Sequence, residues 1–330
     1  MSSIRLCLVL ILSFLMYFLV RLYFLRLSLF RVEKVIQTLG LIFNFSSLGI
    51  YLVGWLVWLS NQGANNTAFW GLVIDRGIPR LQGTVQDPNL FVFFNLLFFF
   101  YFYVRWRNWS NLLGLLLASS NIVLSLSRGG LLAVVICLAV DMLALKDSNG
   151  KIKRFAMGIL LGFGVLLTIE ISGLNIYDLL FQRAGAIESD GASGRLEIWT
   201  NAWNIFIENP WGIGIYNFRH WNAKLFADDH YLHNTALEVL VEAGIIGFTL
   251  WLFAGLSLFI HSVKIAQAEP KHRFLLLTFI AIFVSMFSLS VLTNESLWVF
   301  IALVIRYRYW YKGEEEVNEG FCINHNPQSH

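Results

Sequence analysis

Residues 233–260, HNTALEVLVEAGIIGFTLWLFAGLSLFI, open on a histidine and an asparagine and then run apolar for more than two dozen positions, interrupted only by Glu238 and Glu242. At about 1.5 Å of rise per residue, a helix of that length crosses the roughly 30 Å hydrocarbon core of a bilayer. The stretch therefore reads as a membrane helix whose first residues, His233 and Asn234, stand at its rim. The rest of the chain has the same character. It is 57% hydrophobic and only 14% charged, with a mean hydropathy of +0.63 over 330 residues. A soluble core needs no such composition, and the 29 Phe, 12 Trp and 11 Tyr suit many helix ends at membrane interfaces. Cys7, Cys137 and Cys322 lack the paired spacing of a zinc or disulfide framework. The basic residues are scattered among connections instead of forming a stripe, and no nucleic-acid partner is expected.

Apolar runs occupy about 6–25, 36–60, 89–104, 110–126, 130–145, 155–173, 234–260, 274–292 and 297–310. The expected fold is all-α: a polytopic transmembrane helix bundle of about nine spans in one integral membrane domain, 1–312. Alternate connections separate the charges: sixteen of the 24 Lys and Arg fall at 21–34, 105–107, 146–154, 264–273 and 306–312. That side is cytoplasmic by the positive-inside rule, and the tail 313–330 is expected to be cytoplasmic and disordered. The outer side receives the loop 61–88, the short SRGG connection at 127–130, and a large outer loop, 174–233, whose length points to function. Within that loop, GRLEIWTNAWNIFIENPWGIGIYNF places Leu196, Trp199, Trp203, Ile205 and Phe206 near helical spacing and ends at Asn209-Pro210. It reads as a short amphipathic helix at the outer surface, followed by a glycine-rich turn.

Six of the seven basic residues in the outer connections beyond Arg5 are arginine, whereas the inner sixteen include seven lysines. A guanidinium holds phosphate oxygens in pairs and keeps its charge, so a diphosphate site selects it. Arg128, in NIVLSLSRGGLLAVVI, sits at the outer boundary and fits either a headgroup-seeking side chain or a functional charge. Arg80 and Arg195 lie in polar stretches where a solvated arginine is the plain reading. Arg183 and Arg219 carry less signal still, and Asp87-Pro88-Asn89 suits a turn. If the helix begins near His233, Gly244 and Gly247 share its stripe and permit close packing of another helix, while Glu242 faces the other way. Asn234 or Thr235 suits the helix cap. Asp228, Asp229 and His230 raise a metal site but lack a full ligand set.

These residues together resemble a known family. His233, Asn234, Gly244 and Gly247 reproduce the spacing H-[NSQ]-x9-G-x-x-[GTY] of the O-antigen ligases. The SRGG turn, the RLxG and DPN stretch, and the segment from GRxxIW to NPWGIG also resemble that superfamily, which includes repeat-unit polymerases and protein O-oligosaccharyltransferases. The resemblance spans roughly residues 40–300, and relatives commonly carry about three more crossings at the N-terminus. It implies a GT-C-like bundle of the bacterial inner membrane, with its active site facing the periplasm or cell exterior. Such an enzyme moves a glycan from a polyprenyl (undecaprenyl) diphosphate carrier to a lipid or glycan acceptor. The resemblance makes His233 the general base, Arg128 and Arg195 the diphosphate ligands and Arg80 a third. Asn234, Gly244 and Gly247 are supporting motif positions. The expected reaction is an inverting displacement without metal or other cofactor. A repeat-unit polymerase shares this chemistry. A transporter or lipid flippase is the alternative of another class, disfavoured because the ionisable residues lie away from the span centres and no internal repeat is present.

Overall fold

The structure is a computed structural model and describes residues 2–60, 71–75, 78–85, 87–144 and 195–323. The described helices are α1 (Ser2–Arg26), α2 (Leu29–Ser60), α3 (Pro88–Val104), α4 (Trp109–Leu124), α5 (Arg128–Ala144), α6 (Arg195–Glu208), α7 (Phe218–Phe226), α8 (Thr235–Ala268), α9 (Phe274–Met286) and α10 (Glu295–Ile323). One antiparallel hairpin joins β1 (Gly71–Asp75) to β2 (Ile78–Gly83). The protein is mostly helical. Three described helical stretches, Leu8–Arg26, Leu29–Ser60 and Thr235–Ala268, are long and apolar enough to cross a membrane by themselves. Helix α3, with 17 residues, reaches only about 25 Å, short of a full hydrocarbon core. Among the described residues, helix length and composition thus account for three of the nine expected crossings. Its sixth run, 155–173, lies outside the described residues, as do 174–194 of the large loop.

The hairpin modifies the all-α expectation and lies in the stretch read as the loop 61–88. Leu72 pairs with Leu81 across it, and both are fully buried, β1 packing on α2 and β2 on α2 and α3. The alternation is only a few residues long, too short to separate a strand from a loop by period. Close approach fixes its ends. Gly71, at φ +72°, lies where a Cβ would come within 2.5 Å of Ile50, and Gly83, at φ +56°, lies against Phe91 and Ser47. At the other end of the chain, α10 continues as helix to Ile323, through the first part of the tail expected to be disordered. Its run of glutamates has good helix propensity.

Two polar ties hold the bundle. In its middle, fully buried Asn44, Asn95 and Asn121 join α2, α3 and α4. Asn44 Nδ2 donates to Asn95 Oδ1 at 2.9 Å and to Gly40 O at 2.9 Å, while Asn121 Nδ2 donates to Asn44 O at 2.9 Å and Oδ1 at 3.0 Å. At the end remote from the hairpin, Glu33 accepts from Arg105, from Tyr307 at 3.2 Å and contacts His272 at 3.1 Å, which ties α2, α3 and α10 together. A buried amide is costly to leave without a partner. Asn44→Ala strands Asn95 Oδ1 and is expected to cost about 1–3 kcal/mol. Thermal unfolding in detergent reads this as a lowered midpoint, and an unchanged midpoint would contradict the three-helix lock.

Candidate active site

Helix α8 is not continuous. Gly244 sits at φ 69° and ψ −174°, and the helix breaks there. In an unbroken helix the carbonyls of Val241 and Glu242 would accept from the amides of residues 245 and 246. Here the backbone of 210–214 takes those places: Ile213 N donates to Val241 O at 3.0 Å, Gly214 N to Glu242 O at 3.0 Å, and Ile245 N donates to Pro210 O at 3.0 Å. The NPWGIG turn is thus laid into the break, and both faces of the contact require glycine. A Cβ on Gly244 would lie 2.4 Å from Trp211 C, and one on Gly212, at φ +96°, would lie 2.6 Å from Glu242 O. The expectation that Gly244 and Gly247 admit a neighbouring helix is corrected: the neighbour is a loop backbone. A Cβ on Gly247 would meet Ala243 at 2.4 Å, so its need arises within the break itself. His233, which precedes α8, shares no continuous stripe with either.

The side chain of Glu242 closes the same contact. Its oxygens accept from Tyr216 N at 2.6 Å and Phe218 N at 3.1 Å, at the start of α7. Ile198, Ala202, Ile205, Phe218, Leu232 and Val241 form a small second core between α6, α7 and the start of α8. The amphipathic helix expected before Asn209 is present as α6. Its buried face is Ile198, Asn201, Ala202 and Ile205, however, whereas Leu196 and Trp203 are exposed.

His233 is held on both sides. Leu232 is buried and its carbonyl accepts from Trp199 Nε1 at 3.1 Å. Asn234 is buried too and caps α8, accepting from Leu237 N at 3.2 Å. Thr235 donates from N (3.1 Å) and Oγ1 (2.6 Å) to Leu289 O and accepts from Val291 N at 3.1 Å. Clamped between these anchors, His233 adopts φ 49°, a strained value for a residue with a Cβ, and its side chain is partly exposed and partly shielded from solvent.

The turn 288–291 that holds Thr235 also meets the SRGG connection. A Cβ on Gly129 would lie 2.6 Å from Ser288 Oγ, and one on Gly130 2.4 Å from Val92 at the start of α3. Ser127 Oγ donates to Asn89 Oδ1 at 2.8 Å, and Asp87 caps α3 through Asn89 N (2.7 Å) and Leu90 N (2.8 Å). Arg128, exposed at the first position of α5, and His233 therefore occupy the same end of the bundle. Arg195, at the first position of α6, belongs to this group electrostatically. Partial burial and the Arg128 charge both lower its proton affinity, partly offset by Asp87. Loss of solvent around His233 and the Arg195 charge hold its imidazole below the ordinary 6.5, again against Asp87. Among the described residues neither Arg128 nor Arg195 forms an ion pair.

Arg80 differs. It lies on β2, donates from Nη1 to Asp75 Oδ2 at 2.8 Å and from Nε to Ser125 O at 2.9 Å. Its guanidinium fastens the hairpin to the end of α4, three residues before Arg128, instead of standing solvated. Asp228, Asp229 and His230 are also engaged: His230 with Asp228, Asn222 with Asp228 at 3.0 Å, and Arg219 with Asp229. Arg183 lies outside the described residues. The sequence did not reveal that Trp199, through the Leu232 carbonyl, and Thr235, through Leu289 and Val291, fix the backbone around His233, or that Glu242 anchors the 216–218 segment. Only their proximity to the motif hinted at it.

Residues 113–252 match the family model described as O-antigen ligase. That stretch contains Arg128, Arg195, NPWGIG, His233, Gly244 and Gly247, and it bears out the resemblance carried by those motifs. A comparison with curated proteins found no match. Gly244→Ala and Gly212→Ala are each expected to destabilise the protein by more than about 2 kcal/mol, because backbone must shift. Gly255→Ala, with open space around it, is the control. Thermal unfolding checks this, and equal behaviour of all three variants would contradict the inserted turn.

Proposed function

We propose that this O-antigen-ligase-like membrane protein transfers a glycan from a polyprenyl diphosphate carrier to an acceptor hydroxyl on the outer side of the bacterial inner membrane. The observation that carries the reading is the shared 288–291 turn, which meets the SRGG connection on one side and grips Thr235 on the other, so that Arg128 and His233 share one end of the bundle. The family match supports the reaction class. Arg128 and Arg195 are cations at helix starts without carboxylate partners among the described residues, and the Arg195 charge helps keep the His233 imidazole neutral. A diphosphate is an anion suited to such a pair.

In this reading His233 accepts the proton of the acceptor hydroxyl as its oxygen bonds to the anomeric carbon of the donor glycan. The bond from that carbon to the diphosphate oxygen breaks, and the polyprenyl diphosphate leaves with the electron pair. The products are the new glycoside and the carrier diphosphate, and direct displacement inverts the anomeric centre. An imidazole that loses its proton below 6.5 is largely neutral near pH 7, the form a base requires. Arg128 and Arg195 stabilise charge growing on the leaving group, a task a metal performs elsewhere. Arg80, committed to Asp75 and Ser125, serves by holding the turn that carries Arg128. A ligase and a repeat-unit polymerase share these steps and differ in the acceptor.

The direct test is purified protein with a polyprenyl diphosphate glycan and candidate acceptors, in the presence of EDTA. His233→Ala and Arg128→Ala are each expected to lose on the order of 100-fold or more in rate while folding normally. Activity is expected to survive chelation. Near-normal transfer by folded His233→Ala would overturn the assignment. The pH profile gives a second check. A base is lost as it protonates, so the rate falls as pH drops through a value below 6.5. Arg195→Gln removes a nearby positive charge and is expected to move that acid limb to higher pH, whatever it does to the maximal rate. A limb that does not move would contradict the proximity of Arg195 to the base.

A further inference from the structure

Two residues before His233, Tyr231 presents an aromatic ring to solvent, 40% exposed, that is nevertheless fixed from its far end. Its phenolic oxygen accepts from Arg219 Nη1 at 3.1 Å and shares a hydrogen bond with the Tyr216 hydroxyl at 2.9 Å. The Arg219 guanidinium also lies 4.8 Å from the ring centroid, and Asp229 grips it through Nε (2.6 Å) and Nη2 (2.5 Å). Tyr216 is itself anchored, its backbone amide donating to Glu242 at 2.6 Å. The Tyr231 ring meets the His233 ring edge-on, with centroids 6.3 Å apart.

An exposed tyrosine gains no burial from this frame, yet its orientation is set by charged and phenolic partners. A ring held in that way offers a flat apolar face at little cost in side-chain entropy when something settles on it. The chemistry that fits is a pyranose: its C–H face rests on an aromatic ring, and its hydroxyls meet the guanidinium, carboxylate and phenol around the rim. An acyl chain would have to desolvate the Arg219–Asp229 pair without replacing its hydrogen bonds, which is unfavourable.

We infer that Tyr231, framed by Arg219, Asp229 and Tyr216, is the platform on which the acceptor sugar stacks, so that one of its hydroxyls faces His233. The inference rests on the transfer reaction proposed above and names its acceptor class: a saccharide hydroxyl, not an amino-acid side chain.

The test is steady-state transfer from a polyprenyl diphosphate glycan to octyl glycosides of glucose, galactose and N-acetylglucosamine, with serine- and tyrosine-containing peptides as competing acceptors. Tyr231→Leu and Tyr231→Ala are expected to raise the acceptor KM by about tenfold or more, with donor KM unchanged and kcat within about twofold. Tyr231→Phe loses both phenolic bonds but keeps the face, and its acceptor KM is expected to stay within about threefold of the parent. A preference for peptides, an unchanged acceptor KM in Tyr231→Leu, or equal effects of the Phe and Leu variants on acceptor and donor alike would overturn the platform. His233→Ala separates the two readings. If it is inactive while Tyr231→Leu binds acceptor normally, only the platform fails, whereas a fully active His233→Ala overturns the transfer mechanism beneath it.

Discussion

Everything at the hairpin end depends on one exchange of backbone hydrogen bonds. A membrane helix ordinarily satisfies its own carbonyls, and inside a bilayer it has little choice. Helix α8 gives that up at Gly244, and the amides of Ile213 and Gly214 fill the opened carbonyls of Val241 and Glu242. The described part of the large loop, 195–233, is thereby packed onto α8. Its second core is seated on the start of α8, Trp199 reaches the carbonyl of Leu232, and His233 is forced into a strained turn with its imidazole outward. Strain of this kind, of order 1–3 kcal/mol, persists only where the surroundings over-determine it. Leu126, at φ 51° two residues before Arg128, is a second such position.

The charges follow from the same scaffold. Arg128 and Arg195 each begin a helix, where the dipole disfavours a cation, and each also lowers the proton affinity of a neighbour. Arg128 and Arg195 form no ion pair among the described residues and stand where dipole and mutual repulsion oppose them, with Asp87 a partial offset for Arg195, and the diphosphate of the proposed reaction would relieve that cost. Arg80 solves the opposite problem. Paired with Asp75 and hydrogen-bonded to Ser125, it stiffens the connection that presents Arg128.

Much of this was legible in the residues. The apolar runs mark helices, the SRGG turn forms a close contact, Asn234 caps α8, and the helix before Asn209-Pro210 lies where its periodicity puts it. The hairpin was not legible, because five or six residues of weak alternation inside a polar loop do not distinguish strand from turn. The meaning of Gly244 was hidden for a different reason: a glycine in an apolar helix fits close helix packing equally well, and only the partner, a loop some thirty residues earlier in the chain, decides between the two. Which face of α6 packs on the protein was not legible because both of its sides carry apolar residues, Leu196 and Trp203 on one and Ile198 and Ile205 on the other.

The account stands on one spatial relation, that the residue-128 and residue-233 positions face a common substrate. Cysteines placed at both, in a chain freed of Cys7, Cys137 and Cys322, measure it through a short bifunctional thiol reagent. The account predicts cross-linking within one chain, blocked when a polyprenyl diphosphate is added. Labelling of the two cysteines from opposite sides of the membrane, or cross-linking indifferent to the diphosphate, would contradict it.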